Sequence, residues 1–294
     1  PDCRIKPWLR DHMMEFIRKR VNLMAQHERW QLSGNGSEAY ERYLVPALFT
    51  PWAIDLLARV APQPRERVLD VACGTGIVAR LAAQQVGVSG RVTGVDLNPD
   101  MLIEARAQSA KLGATVAWVE GDAQALPFGE AAFNVVLCQQ SMQFFSDQTR
   151  AVQEMKRVLT PGGRFALNVS RALQYNPYIR ALADALERHV SSEAGTAMRA
   201  PCGFGDAEAL RELLTRAELH DIRIHIVILT IRHPSLLEFI SGQLAATPVA
   251  ARVAELDANA RSALLDDISA ALRPYTDDEG LAVPYEIHVA VAYA

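Results

Sequence analysis

The chain has 294 residues, half of them apolar, and a formal charge of −4. That length can bury a large core in one elaborated domain or two. The mildly acidic balance, with no Lys/Arg block interleaved with aromatics, argues against a nucleic-acid partner. No apolar run approaches the roughly 18 residues of a membrane span and no charged-then-apolar signal segment opens the chain, so a cytoplasmic protein with no membrane span is expected.

The residues around Pro1 are set aside from fold reasoning. Met13, Ile17, Val21 and Met24 recur at three- and four-residue intervals, which predicts an amphipathic helix with Arg18, Lys19 and Arg20 turned to solvent or to a dimer contact. Ser33 to Ser37, with Gly34 and Gly36, reads as a hinge, so residues 1–36 are expected to form an N-terminal helical lid and 37–294 the main domain. Residues 39–60 read as helix interrupted by Pro46 and Pro51.

The run Val68 to Gly76, V-L-D-V-A-C-G-T-G, follows. Its apolar residues suit a strand buried on both faces, and Gly74 and Gly76 let the backbone turn sharply towards a ligand before a helix from Ile77 to Gln85. Gly74, Gly76 and Ala79 also fit the G-x-G-x-x-A spacing of a dinucleotide fold, so an NAD(P)-dependent oxidoreductase is an alternative. Asp70 argues against it. A carboxylate at that strand end repels a pyrophosphate, but attracts the ammonium and sulfonium of S-adenosylmethionine, since opposite charges about 4 Å apart gain roughly 1 to 4 kcal/mol. The structural alternative is that Asp70 caps the next helix.

A second strand, Arg91 to Asp96, ends in an acid about 20 residues beyond the glycines, where a carboxylate accepts ribose hydroxyls. Asn98-Pro99 then opens a helix in which Met101 and Leu102 could pack on an adenine. A third strand, Val116 to Glu120, ends at Gly121-Asp122-Ala123, with Asp122 facing the adenine amino group. Beyond a helix from Thr149 to Leu159, Thr160-Pro161-Gly162-Gly163 reads as a tight turn into a strand, Arg164 to Val169. Helices dominate 171–220, a strand spans Ile222 to Thr230, helix returns from Ser235 to Leu272, and the last strand is Tyr285 to Tyr293. Alternating strands and helices predict an α/β fold with a doubly wound, mostly parallel sheet, whose helical insertions at about 171–220 and 231–283 roof the carboxyl ends of the strands.

V-L-D-V-A-C-G-T-G, G-V-D-L-N-P-D-M-L, G-D-A-Q-A-L-P-F, F-N-V-V-L-C-Q-Q-S-M-Q-F-F and L-T-P-G-G-R-F-A-L, in that order, resemble the successive motifs of class I S-adenosylmethionine-dependent methyltransferases, closest in style to the ubiquinone/menaquinone-biosynthesis type. The resemblance covers about Tyr40 to Ser170. It implies a Rossmann-like methyltransferase fold of seven strands with the last antiparallel, S-adenosyl-L-methionine as cofactor, and a small-molecule acceptor. By resemblance, Asp70, Ala72, Cys73, Gly74, Thr75 and Gly76 hold the methionine moiety, Asp96 the ribose, Leu97 and Met101 an adenine wall, and Gly121, Asp122 and Ala123 the adenine edge. Cys138 and Gln139 would lie beside the sulfonium. Tyr40 to Tyr43 resembles the segment that folds over the cofactor, with Tyr43 the preferred lid aromatic.

Family members often carry His where Gln143 or Phe144 stands, so a base from this strand is in doubt. Gln140 and Gln143 suit orienting a hydroxyl or carbonyl, and His27, beside the lid, is the best-placed base. The four cysteines lack zinc-knuckle or redox spacing, and no metal is expected. Phe144, Phe145, Tyr175, Tyr178, Phe204 and Phe239 suggest an apolar pocket for a lipophilic or aromatic metabolite. The expectation is methyl transfer to O, N, S or C of such a molecule, with a non-methylating cofactor-binding relative as a further alternative and a homodimer compatible with the pattern.

Overall fold

The computed structural model describes Leu32 and residues 36–294, so the expected helix Met13–Met24 and His27 lie outside the described residues. Among the described residues, the sheet contains β1 (Arg67–Val71), β2 (Arg91–Asp96), β3 (Ala117–Glu120), β4 (Phe133–Gln139), β5 (Leu159–Ser170), β6 (His220–His233), the two-residue β7 (Thr276–Asp277) and β8 (Gly280–Tyr293). The order is β3-β2-β1-β4-β5-β8-β6, with β7 paired to β8. The first five strands pair in parallel, whereas β8 runs antiparallel between β5 and β6, as the resemblance implied.

Strand alternation sorts side chains between two apolar layers. Val68, Val135 and Leu137 join one core, and Leu69, Val71, Val136 and Cys138 join the other, as expected of strands covered on both faces. Thr160 to Gly163 is not a turn between elements: it lies within β5, where pairing jumps from Phe133–Leu159 to Val135–Arg164 and Gly162 takes a φ of 71°. The extra residues are absorbed as a bulge, which left-handed glycine permits.

Helix α1 runs continuously over Gly36–Val60. By length and composition it could cross a membrane, contrary to the sequence expectation, yet Leu44, Leu48, Trp52, Leu56 and Leu57 are buried in the fold. Its stretch Tyr40–Phe49 is π-helical and contains Pro46. Proline has no N–H to donate and its ring crowds the carbonyl four residues back, so the wider turn relieves the conflict, and the Thr50 N–H reaches Val45 O, five residues back.

The other helices are α2 (Ile77–Val86), α3 (Pro99–Leu112), α4 (Gln148–Arg157), α5 (Pro177–His189), α6 (Ser192–Arg199), α7 (Ala207–Arg216), α8 (Leu236–Ala245), α9 (Ala250–Ala254) and α10 (Ala258–Leu272). Their starts follow local chemistry: Asn98, Asp147, Asp206, Ser235 and Asp257 each accept a backbone N–H of the first turn. Helix α5, through Tyr178 and Ile179, lines a cleft at the strand ends together with α1, Met198 of α6 and Thr247 beyond α8.

Candidate active site

The cleft encloses about 1460 Å³, including its solvent-open mouth. Its floor is made by the ends of β1, β2 and β3, its roof by α1, the segment after β4, and the insertions.

Asp70 ends β1, buried, and its Oδ2 accepts the Ala79 N–H at 3.0 Å. It is therefore both a cap of α2 and a wall of the cleft. Burial, aided by the nearby Asp96 charge, pushes its carboxyl up to about 8. Asp96 Oδ2 accepts Gly74 N–H at 2.8 Å and Oδ1 accepts Asn98 N–H at 2.9 Å, so one carboxylate ties the glycine loop to the start of α3. Burial raises its pKa as well, against the lowering effect of those N–H bonds. Asp122 Oδ1 accepts Gln124 N–H at 2.8 Å. Cys73 and Tyr40 are likewise raised, first by burial and then by the carboxylates, so thiol and phenol stay protonated.

The nearby cation, Arg80, offsets the rise at Asp70 only in part and makes no ion pair with it. Buried Arg80 donates to Thr75 O and, at 2.7 Å, to Glu41 Oε1 on α1. The floor thus favours a cationic ligand, and the unpaired, buried Thr75 Oγ1 leaves a further polar atom on the same loop.

Of the residues expected to hold cofactor, Asp70, Ala72, Cys73, Gly74, Thr75, Asp96, Leu97, Met101, Gly121, Asp122, Ala123 and Gln139 line the cleft. Gly76 and Cys138 do not. Gly76 turns the chain at a φ of 86°, but a Cβ there would lie 2.2 Å from Trp118 Cη2, and one at Gly94 would lie 2.4 Å from Trp118 Cζ3. The two glycines form a bed for that indole. Cys138 falls on the opposite phase of β4 and is fully buried in the other core.

Tyr43 is also displaced from its expected role. In the wide π-turn Tyr40, Leu44, Leu48 and Phe49 share the cleft face, while the Tyr43 ring packs on α8, 2.6 Å from where a Gly242 Cβ would stand. Tyr40 is the tyrosine of this segment that lines the cleft, stacked on Phe49 at 4.9 Å with its hydroxyl over Gly74. Gln143 lines the cleft.

Of the expected roof aromatics, Phe144, Phe145 and Tyr178 line the cleft. Phe239 is core, Phe204 packs on the second core, and Tyr175 lies under the Arg171 guanidinium at 3.7 Å. Phe49, Trp52 and Tyr285, not singled out from sequence, join the roof. Their aromatic periodicity in α1 was visible; the approach of β8 was not.

A three-layer α/β fold with an acidic, cation-seeking cleft at its strand tips is the architecture of a nucleoside-cofactor methyltransferase. The dinucleotide alternative falls, because the Asp70 carboxylate already occupies the α2 N-terminus where a pyrophosphate would sit. Residues 68–163 match the methyltransferase-domain family. The ubiquinone/menaquinone biosynthesis C-methyltransferase UbiE of Ralstonia nicotianae is 32% identical over 170 residues, covering 58% of this chain and 67% of that protein. The demethylmenaquinone methyltransferase of Thermus thermophilus is 39% identical over 115 residues, 39% of this chain and 50% of its own. The crystal structure of YcgJ from Bacillus subtilis superposes with a TM-score of 0.56 at 18% identity, over 82% of this chain and 97% of that one. The chain belongs to the class I S-adenosylmethionine-dependent methyltransferase family, and it spans about half the length of several curated relatives it matches.

Proposed function

We propose that the cleft binds S-adenosylmethionine across the tips of β1, β2 and β3 and methylates a small lipophilic or aromatic molecule held beneath α1 and the insertions. The observation that carries this is the division of one cleft into a floor of buried carboxyl groups with no side-chain ion pair among the described residues and a roof of apolar and aromatic side chains. The two relatives named for quinone methylation and quinone biosynthesis point to acceptors of the same chemistry.

When bound, the cofactor supplies an electrophilic methyl group on a cationic sulfur. Asp96 would hold the ribose hydroxyls with the lone pairs not used by Gly74 and Asn98. Leu97 and Met101 would hold the adenine, with Asp122 and Ala123 at its edge. Asp70 and Gln139 would hold the charged end of the ligand. Phe49, Trp52, Phe144 and Tyr178 exclude water and hold the acceptor in line. Such placement is worth about 7 to 11 kcal/mol, more than the roughly 3 to 5 of a positioned base, so the roof needs no base for acceleration. Tyr40, held protonated, serves as a donor rather than a base.

Calorimetric titration with S-adenosylhomocysteine tests the cofactor assignment, and absence of binding overturns it. Single-turnover transfer from methyl-labelled cofactor to a panel of phenols, naphthols and quinols tests the reaction. Tight cofactor binding with no transfer to any acceptor would favour a non-methylating relative.

A further inference from the structure

Gln140 follows β4 in the left-handed region, at a φ of 54°. A non-glycine residue holds that conformation only where its surroundings fix it. Here the Gln140 N–H donates to Asn168 O at 2.9 Å and to Asn168 Oδ1 at 3.1 Å. Its side-chain Oε1 accepts from Ser170 Oγ at 2.7 Å, and Ser170 Oγ is 2.7 Å from the Tyr285 hydroxyl. Since Ser170 donates to Gln140, Tyr285 donates to Ser170, and burial keeps that phenol protonated. The chain of bonds leaves Gln140 Nε2 facing no partner, in a residue 8% exposed.

One helical turn on, Gln143 Nε2 donates to Gln140 O at 2.9 Å, which leaves Gln143 Oε1 buried and unpaired. Both residues line the cleft. The same short segment of the cleft lining therefore holds one unmade donor and one unmade acceptor, both shielded from water. A buried polar group without a partner is costly, and a ligand that satisfies it is selected over one that does not.

We infer that Gln140 and Gln143 together read a hydroxyl group on the acceptor, with Tyr285 and Ser170 as positioning residues for the Gln140 amide; this rests on the methyl-transfer reading. The hydroxyl oxygen accepts from Gln140 Nε2 while its hydrogen is donated to Gln143 Oε1. An ether or a ketone satisfies only Gln140, and a hydrocarbon satisfies neither.

The test uses the full chain saturated with S-adenosylhomocysteine and titrated with 1-naphthol, 1-methoxynaphthalene and naphthalene, three probes of one shape class. The expected result is that 1-naphthol binds about tenfold or more tightly than the other two. Gln143→Leu should erase the preference for naphthol over its methyl ether without changing cofactor-product affinity or the far-UV spectrum. Tyr285→Phe should reduce the same preference several-fold with the fold intact, an effect that loss of packing alone would spread evenly over all three probes. Equal binding of the three, binding of none, or a preference that survives Gln143→Leu overturns the inference. A folded Gln143→Leu protein that loses S-adenosylhomocysteine affinity overturns it too, by placing the pair in the cofactor half. Failure of the wild-type chain to bind S-adenosylhomocysteine instead sinks the methyl-transfer reading itself.

Discussion

The floor and the roof of the cleft solve the burial of polar groups in opposite ways. On the floor, Asp70, Asp96 and Asp122 take backbone N–H groups from α2, from the glycine loop and the start of α3, and from the turn after β3, and no side-chain cation among the described residues pairs with them. In the roof, neutral side chains pair across long stretches of chain: Tyr178 with Gln243 at 2.7 Å, and Tyr285 with Ser170 and Gln140. The difference separates a shared function from a particular one. A floor built from loop backbone and strand-end acids recognises charge and a nucleoside, and lies within the family match at 68–163. A roof built from distant side chains is mostly apolar and aromatic, and most of it lies outside that match. The two are fastened by the Arg80–Glu41 ion pair, which joins α2 beneath the glycine loop to α1.

Breaking that fastening should have the largest effect. Arg80 is 3% exposed in the pair and Glu41 13%, so Glu41→Ala leaves a buried guanidinium uncompensated. The expected loss is about 3–5 kcal/mol in chemical denaturation. Unchanged stability would mean that roof and floor are independent. Next comes Asp96→Asn. Both Asp96 oxygens face N–H donors, so the new amide must turn its own N–H towards either Gly74 or Asn98. A hydrogen bond to a charged group contributes about 1.5–3 kcal/mol, so removing one predicts about 10- to 150-fold weaker S-adenosylhomocysteine binding. Binding of 1-naphthol to the resulting cofactor-product complex should be preserved, and its loss would blur the distinction between the two halves.

The charge of the floor is sharpened by pH. With its folded pKa up at about 8, Asp70 holds a proton that the unfolded chain, near about 3.9, has already released. The stability this confers is complete below about pH 4 and is lost as pH rises through 8. A cationic ligand requires the ionised form. S-adenosylmethionine affinity should therefore rise about tenfold between pH 7 and 9, with a proton released on binding at pH 7, seen as a dependence of calorimetric heat on buffer ionisation enthalpy. A flat affinity profile would show that Asp70 serves only as the cap of α2.

What the sequence disclosed follows the same division. Asp70, Asp96 and Asp122 are legible because each ends a short apolar run, and strand ends face the cleft in an open parallel sheet. Cys138 differs from its expected place by one residue of strand phase, although its alternation with Val135 and Leu137 can be counted in the sequence. The preference for Tyr43 rests on resemblance alone, and Pro46 is the sign that the turn widens and brings Tyr40 to the cleft instead. Trp118 on its bed of Gly76 and Gly94 leaves no one-dimensional trace, since the three residues meet only once β1, β2 and β3 are aligned. Tyr285 reaches the site because β8 inserts between β5 and β6, a pairing between residues more than a hundred positions apart.

The smallest effect is expected in the roof itself. Tyr178 is buried, and its hydroxyl donates to Gln243 Oε1, while Gln243 Nε2 has no partner. Tyr178→Phe keeps the ring against Phe239 and Tyr285 but strands the second polar end of Gln243. A single neutral hydrogen bond of this kind contributes about 1 kcal/mol, with a further fraction for the buried amide left unpaired. The variant should therefore lose about 1–2 kcal/mol in denaturant titration while binding S-adenosylhomocysteine as tightly as before, because no floor residue depends on Gln243. The acceptor should feel the change as a raised KM with little change in kcat, as the ring that fills the chamber is retained and only its rigidity is reduced. A drop in cofactor-product affinity would show that roof packing sets the glycine loop, and would shift the weight of the comparison from the chemistry of the two halves to the ion pair that joins them.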